Sequence, residues 1–407
     1  MNDIRRTILW VIFGFSMVLL WDKWQLHNGN KATFFPSPAA VGAAAPAAGA
    51  SAPLAGAASV PASTAPAVAS IGASAVPGTP APAAPAAREK IEVTTDVYRL
   101  TFDGEGGSLT HAELLKHADM TDKAKNFVLF DESTQRVYAA QTGLIGGSFP
   151  THKTVMTAVP GPRALKDGEN ELTIRFESPE QGGVKLVKTW TLKRGAYDIA
   201  VKHEVVNVGS TAVSPQLYLQ LVRDGNKPPG ESSFYSTFTG PAVYTDAKKY
   251  QKIEFKDIEN GKVDIPKESP NGYVAMVQHY FASAWLLADG VQRELFTRKV
   301  SDNLYSVGMI TPLGNIDPGT TKAVDARLFA GPQVETMMEK LYPGLELVKD
   351  YGWLTILSKP LYWLLDNLHK LLGNWGWSIV ALVLLLKIAF YWLNAKAYAS
   401  MAKMKAI

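Results

Sequence analysis

Four polar residues near the end of the chain share one side of a helix. Lys387, Tyr391, Asn394 and Tyr398 fall at i, i+4, i+7 and i+11, while Leu385, Ile388 and Trp392 point elsewhere. Lys387 is the only charge in the apolar run from Trp375 to Asn394. A charge at that depth costs about 2.5–3.5 kcal/mol on insertion scales, so it needs a reason. One reason is snorkelling, with the lysine stem along the hydrocarbon and the ammonium at the headgroups. The other is a water-filled polar cavity, which the Tyr and Asn members of the stripe favour. Such a stripe offers no bond-making chemistry. It offers a cation and polar side chains that lower the cost of holding a polar segment at membrane depth.

No other set of residues suggests a reaction. The chain has no cysteine, which excludes disulfides, thiolate zinc sites and thiol catalysis together. The histidines (His27, His111, His117, His152, His203, His279 and His369) are scattered without metal-type spacing, so no metal or cofactor is expected. Gly104-Glu105-Gly106-Gly107 is not followed by the Gly-Lys-Ser/Thr of a phosphate loop, and no G-x-S-x-G elbow occurs. A formal charge of +4 with no basic stripe argues against nucleic acid as a partner.

Membrane elements must position the stripe. Trp375 to Asn394 gives 20 residues with one charge, enough for a span, and residues 374–394 are expected to be one. Before it, Leu357, Leu361, Leu364, Leu365, Leu368, Leu371 and Leu372 recur at helical spacing, with Lys359, Asp366 and Lys370 on another face. Pro360 suits a first helical turn, and Gly373-Asn374 a stop. Residues 346–373 therefore predict an amphipathic helix lying in the membrane interface, with a core helix of the preceding domain as the alternative. A second apolar run, Thr7 to Trp21, follows Arg5 and Arg6 and has no small-residue cleavage site after it. Residues 1–24 are expected to be an uncleaved anchor. Lys396, Lys403 and Lys405 put the C-terminus in the cytoplasm, and two spans return the N-terminus there too, leaving the domain between them outside.

That domain reads as β. Residues 25–88 come first as a tether: positions 37–87 hold 23 alanines and 9 prolines, and no charge falls between Lys31 and Arg88. Proline at that density breaks helix, and nothing there builds a core. From 89 to 345 the pattern is period two: Ile91, Val93, Thr95 and Val97; Leu172, Ile174 and Phe176; Val184 and Leu186; Tyr197, Ile199, Val201 and His203; Leu217, Leu219 and Leu221. Turn signals such as Asp167-Gly168, Gly182-Gly183 and Asp289-Gly290 separate the runs. Half-buried strands over this length predict a large antiparallel sandwich.

Several blocks resemble the YidC family of membrane-protein insertases. They are Asp350-Tyr351-Gly352-Trp353, Pro360-Leu361, Gly373-Asn374-Trp375-Gly376-Trp377-Ser378-Ile379, Lys387, and Ser400-Met401-Ala402-Lys403-Met404. Arg5-Arg6 through Trp21, Gly272-Tyr273-Val274-Ala275-Met276, Gln278-His279-Tyr280-Phe281 and Ala284-Trp285 fit as well. The resemblance implies a mutarotase-like β-super-sandwich in the periplasm, and membrane helices around a hydrophilic groove open to cytoplasm and lipid. It implies that Lys387, where the family usually has arginine, lies in that groove; Tyr391, Asn394 and Tyr398, placed on its side by spacing, are then expected to line the groove with it. It also implies nascent membrane proteins, the Sec translocon, the ribosome and the bilayer as partners, a bacterial inner-membrane location, and no catalysis. Residues 395–407 would begin a cytoplasmic helical hairpin, with three further helices beyond Ile407. The competing expectation is a tethered periplasmic carbohydrate-binding or sugar-epimerising domain, which would need a cleft with paired histidine and carboxylate.

Overall fold

The computed structural model describes residues 89–228, 237–349, 355–391 and 395–396. The expected anchor over 1–24 and the tether over 25–88 lie outside the described residues, as do Trp392, Leu393, Asn394 and 397–407.

Alternating side chains become two nine-stranded antiparallel sheets. The first contains β1 (Lys90–Thr94), β2 (Tyr98–Asp103), β3 (Ser108–Ala118), β4 (Asn126–Glu132) and β5 (Val137–Ile145). The second begins with β6 (Thr157–Ala158), β7 (Glu171–Glu177), β8 (Val184–Lys193) and β9 (Asp198–Asn207). The chain returns to the first sheet with β10 (Gln216–Asp224), then to the second with β11 (Gly240–Thr245) and β12 (Lys249–Lys252). A short helix α1 (Phe255–Glu259) precedes β13 (Glu268–Ser269), β14 (Tyr273–Gln278), β15 (Phe281–Leu287), β16 (Arg293–Ser301), β17 (Leu304–Pro312) and β18 (Thr321–Pro332). The spatial orders are β1-β2-β3-β4-β5-β10-β17-β16-β13 and β12-β11-β14-β15-β18-β9-β8-β7-β6. The expected antiparallel sandwich is what forms.

Where the sequence pattern was cleanest, the burial follows it. In β7, Leu172, Ile174 and Phe176 are buried and the residues between them are exposed. Two runs differ. The Ile91-to-Val97 alternation is not one strand: Thr95 Oγ1 accepts the N–H groups of Val97 at 3.2 Å and Tyr98 at 3.0 Å, and this local turn splits β1 from β2. Leu217, Leu219 and Leu221 are not half-buried. β10 lies mid-sheet between β5 and β17, and both of its faces are covered.

The core between the sheets holds Phe102, Phe176, Trp190 and Trp285, with Phe102 5.1 Å and Trp285 6.2 Å from Trp190 between ring centroids. Removing a ring as buried as Trp190 costs about 3–5 kcal/mol. Polar groups stitch the layers. Trp285 Nε1–H on β15 donates to Gln220 O on β10 at 3.0 Å. Tyr138 on β5 meets Ser283 on β15 at 2.5 Å, oxygen to oxygen. The Tyr98 hydroxyl on β2 donates to Ala330 O on β18.

After β18 the chain forms α2 (Glu335–Leu341) and a 3₁₀ turn (Leu345–Val348). Both pack into the same core through Met338, Leu345 and Val348. Gly344 turns between them with φ +90°, and Tyr273 Oη donates to its carbonyl at 2.9 Å. Two longer helices follow, α3 (Thr355–Leu372) and α4 (Trp375–Ala389). Pro360 sits inside α3 rather than in its first turn, because the helix begins at Thr355.

Candidate functional site

Local sequence builds a tight corner between α3 and α4. Gly373, at φ +65°, ends α3, and its N–H donates to His369 O at 2.8 Å. Asn374 then caps α4 by accepting the Trp377 N–H at 3.2 Å. The His369 ring stacks on Trp375, 3.8 Å between centroids and 8° from parallel.

α4 is apolar all the way round. Leu384, Leu385 and Ile379 are 59, 42 and 51% exposed, on three different sides of the helix. A helix of this make-up is covered either by protein or by lipid. Its 15 described residues reach about 22 Å at 1.5 Å each, against a hydrocarbon core of about 30 Å. Among the described residues no helix is long and apolar enough to cross a membrane. Lys387 lies in the last turn of α4 and is exposed. Tyr391, just past the helix, is also exposed. Asn394 and Tyr398 lie outside the described residues, so the structure places two of the four stripe residues.

α3 meets the β domain through its polar side, which sequence spacing alone did not indicate. Lys359 Nζ on α3 lies 3.4 Å from Glu335 Oε1 on α2. Lys349, just after the 3₁₀ turn, sets its ammonium 3.8 Å from the centroid of the Tyr362 ring. Burial there lowers the pKa of Lys349. The opposite side of α3 carries Leu357, Leu361, Leu364, Leu368 and Leu371, of which Leu357 and Leu371 are 59 and 80% exposed.

Inside the β domain the histidines take structural places. Lys188 on β8 is fully buried and donates from Nζ to Gly106 O at 2.5 Å and Thr142 O at 2.7 Å. His203 Nε2 is 3.0 Å from Thr142 Oγ1, and His152 Nδ1 is 2.6 Å from the Tyr218 hydroxyl. Burial pushes Lys188 down to about 7. Burial, reinforced by the Lys188 charge, pushes both histidines down to about 3. These are neutral imidazoles: His203 on β9 ties its sheet to β5 of the other, and His152 ties the loop after β5 to Tyr218 on β10. Among the described residues no group of three His, Cys, Asp or Glu could hold a metal ion.

Three surface clefts were candidates for the paired histidine and carboxylate of an epimerase. The first, of about 620 Å³, is lined by Phe238, Lys252, Phe255, Glu259 and Tyr305, among others. The second, of about 330 Å³, includes Phe127, Asp131, Arg136, Arg223 and Gln278. The third, of about 290 Å³, includes Glu268, Arg293 and Glu294. None has a histidine in its lining. The Arg136 guanidinium in the second is already used, donating to Val128 O at 2.9 Å and Leu129 O at 2.8 Å.

Comparison with known proteins agrees with the expected family. Residues 90–364 match the family model described as the YidC periplasmic domain. The chain is 49% identical over 407 residues to the membrane protein insertase YidC of Janthinobacterium sp. (strain Marseille), covering 100% of this chain and 71% of that protein. It is 52% identical over 403 residues to the YidC insertase of Cupriavidus necator, covering 99% of this chain and 71% of that protein. Among solved structures, a galactose mutarotase related enzyme of Lactobacillus acidophilus overlaps 60% of this chain and 97% of its own, with 9% identity and a TM-score of 0.38. A galactose mutarotase-like protein of Lactobacillus casei overlaps 60% and 100%, with 12% identity and a TM-score of 0.37. Scores this low carry no argument about ligand or chemistry. Two relatives at about half identity along the whole chain, with a family model over its β domain, establish that the chain belongs to the YidC family of membrane-protein insertases.

Proposed function

We propose that the protein inserts nascent membrane proteins through a hydrophilic groove lined by Lys387, Tyr391, Asn394 and Tyr398. As a YidC family member it is an insertase and not an enzyme, and it works in the inner membrane with its β domain in the periplasm. The observation behind the groove is α4 itself, which is apolar on all sides except for one lysine in its last turn. Water and a cation at that depth replace hydrocarbon around the polar flanks of a client helix, and so lower its insertion cost. In this account α4 opens the span 374–394, α3 lies in the interface, both ends of the chain are cytoplasmic, and the paired sheets are a super-sandwich of the mutarotase kind. The Sec translocon and the ribosome are its working partners.

The test is client insertion, read by protease protection in cells depleted of the native insertase. Lys387→Leu should impair insertion of clients with acidic translocated segments, and Lys387→Arg should preserve it. Tyr391→Ala and Asn394→Leu should weaken insertion less than Lys387→Leu does. Full insertion by Lys387→Leu at normal protein level would reduce the lysine to a snorkelling residue and remove the groove.

A further inference from the structure

We infer that the tip of the β14–β15 hairpin, Tyr280 together with Val334, is a second bilayer contact that seats the β domain on the headgroup layer beside α3. The inference rests on α3 lying in the membrane interface. Among the described residues of the β domain, four large apolar side chains are exposed: Val155, Val208, Tyr280 and Val334. Tyr280 is the most exposed of them, at 57%. It is held next to Val334, because Gln333 N–H donates to Tyr280 O at 2.9 Å and Gln333 Nε2 donates to Gln278 O and Phe281 O, both at 3.1 Å. The His279 ring lies against that of Tyr280, 3.4 Å between centroids.

This tip stands at the end of the domain that α3 occupies. Val334 is followed directly by Glu335, whose carboxylate meets Lys359 on α3. α3 turns Lys359 and Tyr362 toward the domain and Leu357, Leu364 and Leu371 away from it. A surface that takes up the leucine side therefore passes close to the hairpin tip. Tyrosine suits that depth, with an apolar ring for the acyl boundary and a hydroxyl for the headgroups. The other exposed pair lies elsewhere. Val208 follows the last residue of β9, whereas Tyr280 lies beyond its first, since Phe281 pairs with Pro332 on β18, three residues past Phe329, which pairs with Asp198 on β9. The ten residues of β9 alone separate the two sites by about 30 Å. The tip chemistry, an exposed tyrosine among hydrogen-bonded backbone, fits a lipid surface better than a soluble ligand, which would need a cleft.

The absence of native cysteine makes the test direct. Single cysteines at Tyr280, Val334, Leu357 and Val208 are spin-labelled in the intact protein, reconstituted in vesicles of phosphatidylethanolamine and phosphatidylglycerol. Depth is read from the ratio of oxygen to nickel-chelate collision. Labels at Tyr280, Val334 and Leu357 should show ratios several-fold above that at Val208, and above their own values in detergent. Lipid-like ratios at Leu357 with water-like ratios at both Tyr280 and Val334 would overturn the second contact and leave the interface helix standing. Water-like ratios at Leu357 as well would overturn both. Because Val334 reports independently, a misfolded Tyr280→Cys variant does not decide the outcome.

Discussion

Glu335 Oε1 and Lys359 Nζ lie 3.4 Å apart, and through them the last helix of the β domain meets the polar side of the amphipathic helix. Glu335 is mostly buried while Lys359 is partly exposed, so the pair itself contributes only about 0.2–1 kcal/mol. Its consequence is orientation. With the lysine side facing the β domain, the leucine side is turned away from it.

The pair should therefore matter more for insertion than for folding. Glu335→Lys sets two ammonium groups against each other and should reduce client insertion several-fold while shifting β-domain melting by no more than about 2 °C. Adding Lys359→Glu should restore insertion by re-forming the pair with reversed charges. Protease protection of a client, beside a thermal melt of the same variants, checks both halves. Failure of the double variant to recover would assign the Glu335→Lys defect to something other than helix orientation.

The Lys188 cluster predicts an uphill pH profile of β-domain stability. In the folded state Lys188 titrates at about 7, against 10.5 for a free lysine, so between those values the unfolded chain binds more protons and stability rises with pH. The burial cost is fully present below about 7. His152 and His203, at about 3 folded against 6.5 unfolded, add a second rise: their contribution is lost as pH falls from 6.5 toward 3. Lys188→Met should flatten the profile between pH 7 and 10 and leave the acid limb in place. It also leaves the Gly106 and Thr142 carbonyls without this donor, at about 1–3 kcal/mol, so the slope is the informative quantity and the absolute stability is not. Denaturant melts at several pH values measure it, and an unchanged slope above pH 7 would show Lys188 to be charged throughout.

Glycine substitutions at three positive-φ positions should rank by what the new methyl meets. At Gly261, φ +63°, nothing lies within 4 Å, and alanine should cost about 1 kcal/mol of backbone strain alone. At Gly344 the methyl would fall 2.6 Å from Tyr244 Cζ, a ring that can tilt, giving about 1–3 kcal/mol. At Gly272 it would collide with the Tyr244 carbonyl in the neighbouring strand, which cannot move without parting β11 from β14, so about 3 kcal/mol or more is expected. Chemical denaturation of the three variants tests the order. Gly272→Ala as mild as Gly261→Ala would mean that the strand junction is not rigid.

Much of this protein is legible without coordinates, because its elements carry strong local periodicity. Leu172, Ile174 and Phe176 alternate in a way that only a half-covered strand satisfies, and β7 is such a strand. Gly373-Asn374 marks the end of α3 as expected, and the Asn374 side chain in addition caps α4. The sequence blocks around Trp375 and Lys387 carry the family. Tertiary structure decided whatever depends on residues distant in the chain. That Leu217, Leu219 and Leu221 lie in a strand covered on both faces follows from β10 taking a central place between β5 and β17, and no local pattern reports a neighbour in the sheet. That Lys188 is buried, with carbonyls of Gly106 and Thr142 for partners, follows from two sheets closing on each other. Lys359 is one more lysine on a helix until Glu335 arrives beside it. Alternation and capping act over a few residues and are written in them, whereas burial and pairing are set by which distant segments the fold brings into contact.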